Sequence, residues 1–383
     1  MPFQHVSIPL TDMGSQSYTR MDGMTTGFVG GLYPDGSNMR PPAHDLVGQQ
    51  LAATIQPLNE AGEPDPNGRI VLTSIGMSNT GQEFGQFQRL ARDTPGINPH
   101  LFFINGGVGG RTAENWVDPE SDAWEELQRR LDHYSVSDEQ VQVAWIKLTL
   151  VKGGDFPEKA FSLRDHLEII VGLLKDRFPN LKIAYLSSRT RSYTYWRGLS
   201  PEPVAFETGF AVRWLIQEQL EGLPSLNYDP NKGRVEAPYL AWGPYLWADG
   251  ENPRQDGFVW LQEDLAGDCT HPSSSGTQKI ASLLMDFLMN DSTAFPWFRE
   301  SSVPDRAIEP TAPSELASAA SPTPSPYPPE SSSSSSTPSA VPSSLTSIDR
   351  GPASSPPYLW LVLAFVAGGG AGYLVFRWTD RRK

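Results

Sequence analysis

Cysteine is nearly absent from this chain, which has a single cysteine, Cys269, among its 383 residues. One thiol cannot form an intrachain disulfide or build a cysteine-based zinc site. We expect Cys269 to pack as a small residue beneath a loop. The six histidines show no paired ligand spacing either. The sequence therefore predicts no metal site and no cofactor.

Basic residues are also scarce. The chain has 30 lysines and arginines against 44 aspartates and glutamates, a formal net charge of −14. Binding to nucleic acid needs a positively charged face that can neutralise phosphates. No lysine- or arginine-rich run occurs before the C-terminal tail, so we expect no nucleic acid partner.

Long apolar runs are lacking until the C-terminal end of the chain. Residues 301–357 are rich in proline, serine and threonine and include six consecutive serines, 331–336. Such a composition has too little apolar surface to offset the entropy of ordering, and it predicts a disordered linker. Residues 358–376 follow as 19 residues without a charge. This length suits a transmembrane helix, which needs about 20 apolar residues; the alternative is a buried core helix.

Four basic residues lie in the tail, 377–383, directly after this run. The positive-inside tendency places such a tail in the cytoplasm. We therefore expect a single-pass protein of the cell membrane whose folded domain is extracellular. The first ten residues have neither a basic region nor a long apolar core of the kind that directs export. Either the true start of translation lies upstream, or the C-terminal run acts as a tail anchor.

Strand-like and helix-like patterns alternate between residues 69 and 290, within a predicted domain of residues 69–300. Predicted strands are Arg69–Ile75, His100–Asn105, Gln140–Leu150, Leu181–Ser187 and, more weakly, Val235–Ala241. Predicted helices are Glu120–Tyr134, Glu158–Phe178, Pro203–Leu220 and Ser273–Met289. Strands separated by helices predict an α/β three-layer sandwich with a central parallel sheet. Residues 1–68, with one amphipathic helix at Leu46–Ile55, are interpreted as an N-terminal extension that packs on this domain.

A serine and a carboxylate–imidazole pair are the most informative polar residues. Ser78 follows an apolar strand and the turn residue Gly76, whereas Asp268 and His271 are three residues apart, just before a helix. A serine becomes a good nucleophile when a base removes its proton and a carboxylate orients that base. Alone, a serine after a strand is also an ordinary helix N-cap.

Two further segments end predicted strands. The first, Asn105–Thr112, contains four glycines whose backbone N–H groups could bind an anion, although a plain tight turn explains it equally well. It fails the dinucleotide pattern because Thr112 occupies the third glycine position. The second is Lys147. Since ligands of parallel sheets bind beyond the carboxyl ends of the strands, we expect these residues to lie at one edge of the sheet.

Taken together, these blocks resemble the SGNH (GDSL-like) hydrolase superfamily, over residues 69–290. The run Gly76-Met77-Ser78-Asn79 is similar to the nucleophile block of the carbohydrate acetylesterase and sialate O-acetylesterase branch. Gly109-Gly110, followed by Glu114 and Trp116, resembles the second block of that branch. Asp268-Cys269-Thr270-His271-Pro272 matches the family's Asp-x-x-His block.

The resemblance implies a serine esterase. Ser78 would be the nucleophile, His271 the base and Asp268 the residue that orients it. The N–H groups of Ser78 and Gly110 would form the oxyanion hole. The substrate implied by the family is a short acyl ester, an O-acetyl group above all, on a carbohydrate or another small molecule.

One block departs from the family pattern. Lys147 stands where the family usually has an asparagine or glutamine that donates to the oxyanion. A lysine could serve as the third donor, but its flexible, strongly hydrated ammonium differs from a fixed amide. The alternative hypothesis is therefore a catalytically degenerate SGNH module that binds surface glycans. A phosphodiester- or thioester-cleaving enzyme is a third possibility.

Overall fold

The computed structural model describes residues 5–300 of the chain. The predicted linker at 301–357, the predicted membrane helix at 358–376 and the basic tail at 377–383 lie outside these residues. Within the described part, no helix combines the length and the apolar character needed to cross a bilayer.

Residues 5–300 contain seven strands in two sheets. The strands are β1 (Ser17–Thr19), β2 (Thr25–Val29), β3 (Ile70–Gly76), β4 (Leu101–Ile104), β5 (Val141–Lys147), β6 (Ile183–Leu186) and β7 (Tyr239–Trp242). The first two pair as an antiparallel hairpin. The other five form a parallel sheet in the order β4-β3-β5-β6-β7. The prediction of an α/β fold with a central parallel sheet is confirmed.

Helices cover both faces of this sheet. The helices are α1 (Leu10–Met13), α2 (Pro42–Ala52), α3 (Ser78–Asp93), α4 (Ala113–Trp116), α5 (Asp122–His133), α6 (Glu158–Arg177), α7 (Val204–Leu220), α8 (Ser274–Asn290) and α9 (Phe295–Phe298). Side chains of α5, α6 and α7 form one buried cluster with one face of the sheet, and those of α2, α3, α8 and α9 form a second cluster with the other face.

Four strands of the parallel sheet are buried along their whole length because helices cover both faces of the sheet. Every residue of β3, β5, β6 and β7 is buried. Neighbouring residues point to opposite faces: Val71 belongs to the first cluster and Leu72 to the second. The predicted strand Gln140–Leu150 is shorter in the structure, since its pairing with β3 ends at Lys147.

The N-terminal segment packs against the same core. Leu10, Tyr18 and Tyr33 are buried with the side chains of α7. The Tyr18 hydroxyl hydrogen-bonds to the Glu207 carboxylate of α7 at 3.0 Å. Residues 5–68 therefore contribute interior surface to the sandwich and are not a separate core.

The strand order creates a switch point at the carboxyl end of β3. The chain leaves β3 toward β4 on one side and then crosses to β5 on the other. Where such crossovers diverge, the loops separate and leave a crevice beyond the strand ends, the usual ligand position in open α/β sheets. Ser78, the glycine loop after β4 and Lys147 all lie at this position.

Candidate active site

Ser78 is the first residue of α3 and is separated from the end of β3 by one residue, Met77. A Cβ atom at Gly76 would lie 2.3 Å from Thr80 Oγ1 and 2.6 Å from the carbonyl oxygen of Lys147, so this position requires glycine. The Thr80 hydroxyl donates to that same carbonyl at 3.0 Å. These contacts fix the start of α3 against the end of β5, and they leave Ser78 half-buried at the helix N-terminus.

The structure brings Ser78, His271 and Asp268 together. Ser78 Oγ lies 2.6 Å from His271 Nε2. On the other side of the ring, His271 Nδ1 hydrogen-bonds to Asp268 Oδ2. A neutral imidazole that carries its proton on Nδ1 donates to the carboxylate and accepts from the serine hydroxyl. This is the arrangement needed to take a proton from Ser78.

The Asp268 carboxylate is held in its ionised form. Burial alone would raise its pKa, but hydrogen bonds from the His271 ring and from two backbone N–H groups lower the pKa below the ordinary value. The two backbone donors are the N–H groups of His271, at 2.9 Å, and Thr270, at 3.1 Å. Oδ1 is therefore fixed by the backbone, while Oδ2 is directed at the imidazole.

The loop that carries this pair is anchored on both sides. Cys269 adopts a left-handed conformation with φ of 61°, and its carbonyl accepts from the Tyr193 N–H at 2.9 Å. Its side chain packs partly against the core. After His271, the Ser273 N–H donates to the Asp264 carbonyl at 2.8 Å. A Cβ atom at Gly276 would lie 2.0 Å from that carbonyl oxygen, so α8 approaches closely only because this residue is glycine.

The glycine loop after β4 lies over the start of α3. Asn105 accepts from the Gly107 N–H at 3.1 Å and donates to the Gly81 carbonyl at 2.8 Å. A Cβ atom at Gly107 would lie 2.4 Å from the Gly81 nitrogen. Gly107 thus makes the close contact with α3, whereas Gly110 is exposed with φ of 72°. A contribution of the Gly110 N–H to an oxyanion hole stays a prediction.

The position of Lys147 in the sequence suggested an oxyanion donor, whereas in the structure this side chain is bound to a carboxylate. Its Nζ donates to both carboxylate oxygens of Glu83 on α3, each at 2.5 Å, and both side chains are fully buried. Burial lowers the pKa of the Lys147 ammonium to about 8, although the Glu83 carboxylate acts to raise it. A direct role of Lys147 as an oxyanion donor also stays a prediction, with its ammonium already bound to a carboxylate.

Sequence reasoning missed Glu83 and the buried Arg189. Glu83 lies on the face of α3 that contains Thr80, Phe84 and Phe87, all buried. A carboxylate on the apolar face of a helix is the signal that could have identified it. Arg189, only 1% exposed, follows β6, and burial lowers the pKa of its guanidinium against the raising effect of Glu83 and Glu202.

Ser78 opens into a groove of about 670 Å³ between α3 and α5. Across residues 5–300, no group of three histidine, cysteine, aspartate or glutamate side chains is placed to hold a metal ion. The site therefore offers a nucleophile, a base, an orienting carboxylate and the free N–H groups of a helix start.

No family model matches the chain, and no curated protein matches it. Six chains of solved structures match it, among them the following three. A family 3 carbohydrate esterase from Talaromyces cellulolyticus has 12% identity and a TM-score of 0.35, and the match covers 57% of this chain and 96% of that chain. A candidate acylhydrolase from Bacteroides fragilis NCTC 9343 has 13% identity and a TM-score of 0.33, covering 65% and 97%.

A protein from Arabidopsis thaliana has 12% identity and a TM-score of 0.30, covering 54% of this chain and 67% of that chain. Because these identities and TM-scores are low, a function can be assigned only from the geometry of this chain's own site.

Proposed function

We propose that this protein is a serine ester hydrolase of SGNH type. The observation that carries the proposal is the continuous set of hydrogen bonds from Ser78 Oγ through His271 to Asp268. An ordinary N-cap serine needs no imidazole at 2.6 Å, and that imidazole needs no carboxylate behind it. Together, these contacts activate a hydroxyl for attack on a carbonyl carbon.

The reaction begins when His271 Nε2 removes the proton from Ser78 as Oγ attacks the ester carbonyl. The negative charge that develops on the carbonyl oxygen is bound by the Ser78 N–H at the start of α3 and, by the family resemblance, by the Gly110 N–H. His271 then gives its proton to the leaving alcohol. In the second half, His271 activates a water molecule that hydrolyses the acyl-enzyme and regenerates Ser78.

The finer features of the proposal come from the sequence. The resemblance favours short acyl groups, an O-acetyl group above all, on a carbohydrate. The uncharged run 358–376 favours an anchor in the cell membrane, with the catalytic domain on the extracellular side. Neither feature alters the chemistry at Ser78.

Labelling of the full-length chain with a fluorophosphonate probe tests the proposal. Wild-type protein is expected to react, the Ser78→Ala variant to lose the label, and the His271→Ala variant to react more slowly. Ser282→Ala, on the exposed face of α8, is the matched control and should label as the wild type does. Folded wild-type protein that takes up no label would refute the proposal.

A second function is favoured by one observation, the buried contact between Lys147 and Glu83. Lys147 stands at the position where the family has an amide donor to the oxyanion, and its ammonium is bound to Glu83. The protein could therefore bind a glycan without hydrolysing its ester efficiently. In that case, an O-acetylated glycan would bind equally well to wild-type protein and to Ser78→Ala, and neither would release acetate. Acetate release by the wild type alone excludes this function.

A further inference from the structure

Hydrolysis of an ester at Ser78 requires hydrogen-bond donors near the start of α3. When Oγ attacks, the carbonyl oxygen of the ester becomes negatively charged, and donors that are already in position stabilise this charge. The Ser78 N–H group is one such donor, because the first N–H groups of a helix have no partner within that helix. Further donors have to come from side chains or loops that lie beside Ser78.

Two polar side chains at this edge of the sheet already have partners. The Lys147 ammonium is bound to Glu83. The Asn105 amide donates to the Gly81 carbonyl at 2.8 Å, and its oxygen accepts from the Gly107 N–H at 3.1 Å. These contacts join α3 to the sheet and to the glycine loop. Either side chain would have to give up such a contact in order to bind an oxyanion.

Asn79 lies directly after the nucleophile and is buried. It is the second residue of α3 and is only 1% exposed. Residues four apart lie on the same face of a helix, so Asn79 shares the face of Glu83 and lies one turn nearer to the helix start. Glu83 in turn meets Lys147 at the end of β5. Asn79 is therefore at the start of α3, on the side that faces the strand ends.

One half of the Asn79 amide is bonded and the other half is free. Its Oδ1 accepts from the Thr80 N–H at 3.0 Å. Its NH₂ group has no hydrogen-bond partner among residues 5–300, and its nitrogen is not one of the fully enclosed polar atoms there. A ligand atom can therefore reach this donor. An unused donor in a buried side chain costs about 1–3 kcal/mol unless a ligand or water binds it.

A role as a helix cap does not account for this NH₂ group. A serine or an aspartate supplies the same acceptor to the first N–H groups of a helix. What the asparagine adds is a neutral donor whose orientation is fixed by the bond from Thr80. Such a donor stabilises a developing negative charge without having to reorganise during the reaction.

We propose that Asn79 is a catalytic residue whose NH₂ group donates a hydrogen bond to the oxyanion, beside the Ser78 N–H. The inference rests on the proposed function and adds to it a side-chain donor other than Lys147. As Oγ bonds to the carbonyl carbon, the π electrons of the C=O bond move onto the oxygen, and the hydrogen bond from Nδ2 strengthens. When the bond to the leaving alcohol breaks, the C=O bond re-forms. Asn79 keeps its protons throughout, while His271 carries the proton of Ser78 to the alcohol.

Two substitutions of Asn79 separate a donor from a helix cap. Asn79→Ala removes both halves of the amide, whereas Asn79→Asp keeps the acceptor for the Thr80 N–H and replaces the NH₂ group with an oxygen. The full-length variants are assayed with p-nitrophenyl acetate at a temperature where each is folded. Both are expected to lower kcat by about 10²–10³, the usual effect of losing one oxyanion donor. The value of kcat/KM should fall by the same factor, because the bond forms only in the transition state.

Two controls address charge and the catalytic base. Gln82→Glu makes the same amide-to-carboxylate change about one helical turn further along, at an exposed position. It should lower kcat by less than about threefold, since water and salt screen an exposed charge. The pH profile of kcat/KM reports the ionisation of the base, and its midpoint should be the same in Asn79→Ala as in the wild type. A residue that acted by orienting His271 would move that midpoint.

The outcomes are distinguishable. The inference is overturned, and the proposed function stands, if Asn79→Ala loses less than about 10² in kcat. Equal losses in Gln82→Glu and Asn79→Asp, or a shifted midpoint in Asn79→Ala, have the same meaning. Folded wild-type protein that hydrolyses no p-nitrophenyl acetate and takes up no fluorophosphonate refutes the proposed function, and the inference fails with it. Parallel losses in the two Asn79 variants, with both controls as expected, support both.

Discussion

The buried ion pair between Lys147 and Glu83 provides the sharpest prediction about this site. Lys147 ends β5 and Glu83 lies on α3, the helix that begins with the nucleophile. The pair therefore joins the nucleophile helix to the sheet. Replacing Lys147 with methionine keeps a side chain of similar length and removes the charge.

The expected cost follows from burial. Both side chains are 0% exposed, and Nζ lies 2.5 Å from each carboxylate oxygen. Removing one partner of such a pair leaves an uncompensated charge in the interior, which typically destabilises a protein by about 3–5 kcal/mol. We expect Lys147→Met and Glu83→Gln each to fall in this range. The Lys147→Met/Glu83→Gln double variant should be at least about 2 kcal/mol more stable than the sum of the two effects predicts, because the two groups are in direct contact.

Urea unfolding at neutral pH measures these free energies, and p-nitrophenyl acetate hydrolysis at a temperature where every variant is folded measures kcat. The structure predicts a large loss of stability and only a modest loss of kcat in Lys147→Met. The opposite pattern, unchanged stability with kcat lowered by about 10²–10³, is the signature of a lost oxyanion donor. That result would refute our placement of the ammonium on Glu83.

Two further predictions concern other residues. Asp268→Asn is expected to lower kcat for p-nitrophenyl acetate by about 10³–10⁴, because an amide no longer holds His271 with its proton on Nδ1; Asp286→Asn on the exposed face of α8 is the control, and equal losses in the two variants would contradict the assignment. Burial lowers the pKa of His44 from 6.5 to about 4, against the effect of its hydrogen bond to the Leu240 carbonyl, so the folded state binds fewer protons than the unfolded state between these pH values. Stability due to this residue is therefore fully present above pH 6.5 and is lost as the pH falls toward 4, by about 3 kcal/mol in total. His44→Gln should remove this part of the dependence: the wild-type minus variant free energy of unfolding, measured by urea titration at both ends of the range, should change by that amount, and a constant difference would disprove it.

Much of the fold was predictable from local patterns. The predicted helix Glu158–Phe178 is observed as Glu158–Arg177, and the predicted strand Leu181–Ser187 is observed as Ile183–Leu186. The sequence predicts these segments correctly because the spacing of their apolar residues matches the period of the face that each segment buries. The end of β5 was predicted too late, since the apolar run continues to Leu150 after pairing has stopped at Lys147.

The types of residue at the site were also predictable, because a serine after a strand and an Asp-x-x-His run before a helix are local features. Ser78 and His271 are 193 residues apart in the chain, and the topology alone indicated only that Ser78 lies beyond a strand end. The hydrogen bonds between them required the structure, since a sequence gives neither the distance nor the orientation of two side chains on different loops.

What the sequence determined by itself is therefore the order of the elements, the parallel sheet and the residue types gathered at its edge. Periodicity and turn chemistry are properties of neighbouring residues, so they can be recognised without knowledge of the rest of the chain. Only the tertiary structure decided that the Lys147 ammonium binds Glu83, a residue 64 positions away, and that Ser78 faces an open groove. A buried charge takes whichever partner the packing brings within reach, so its role depends on the three-dimensional arrangement of elements that are far apart in the chain.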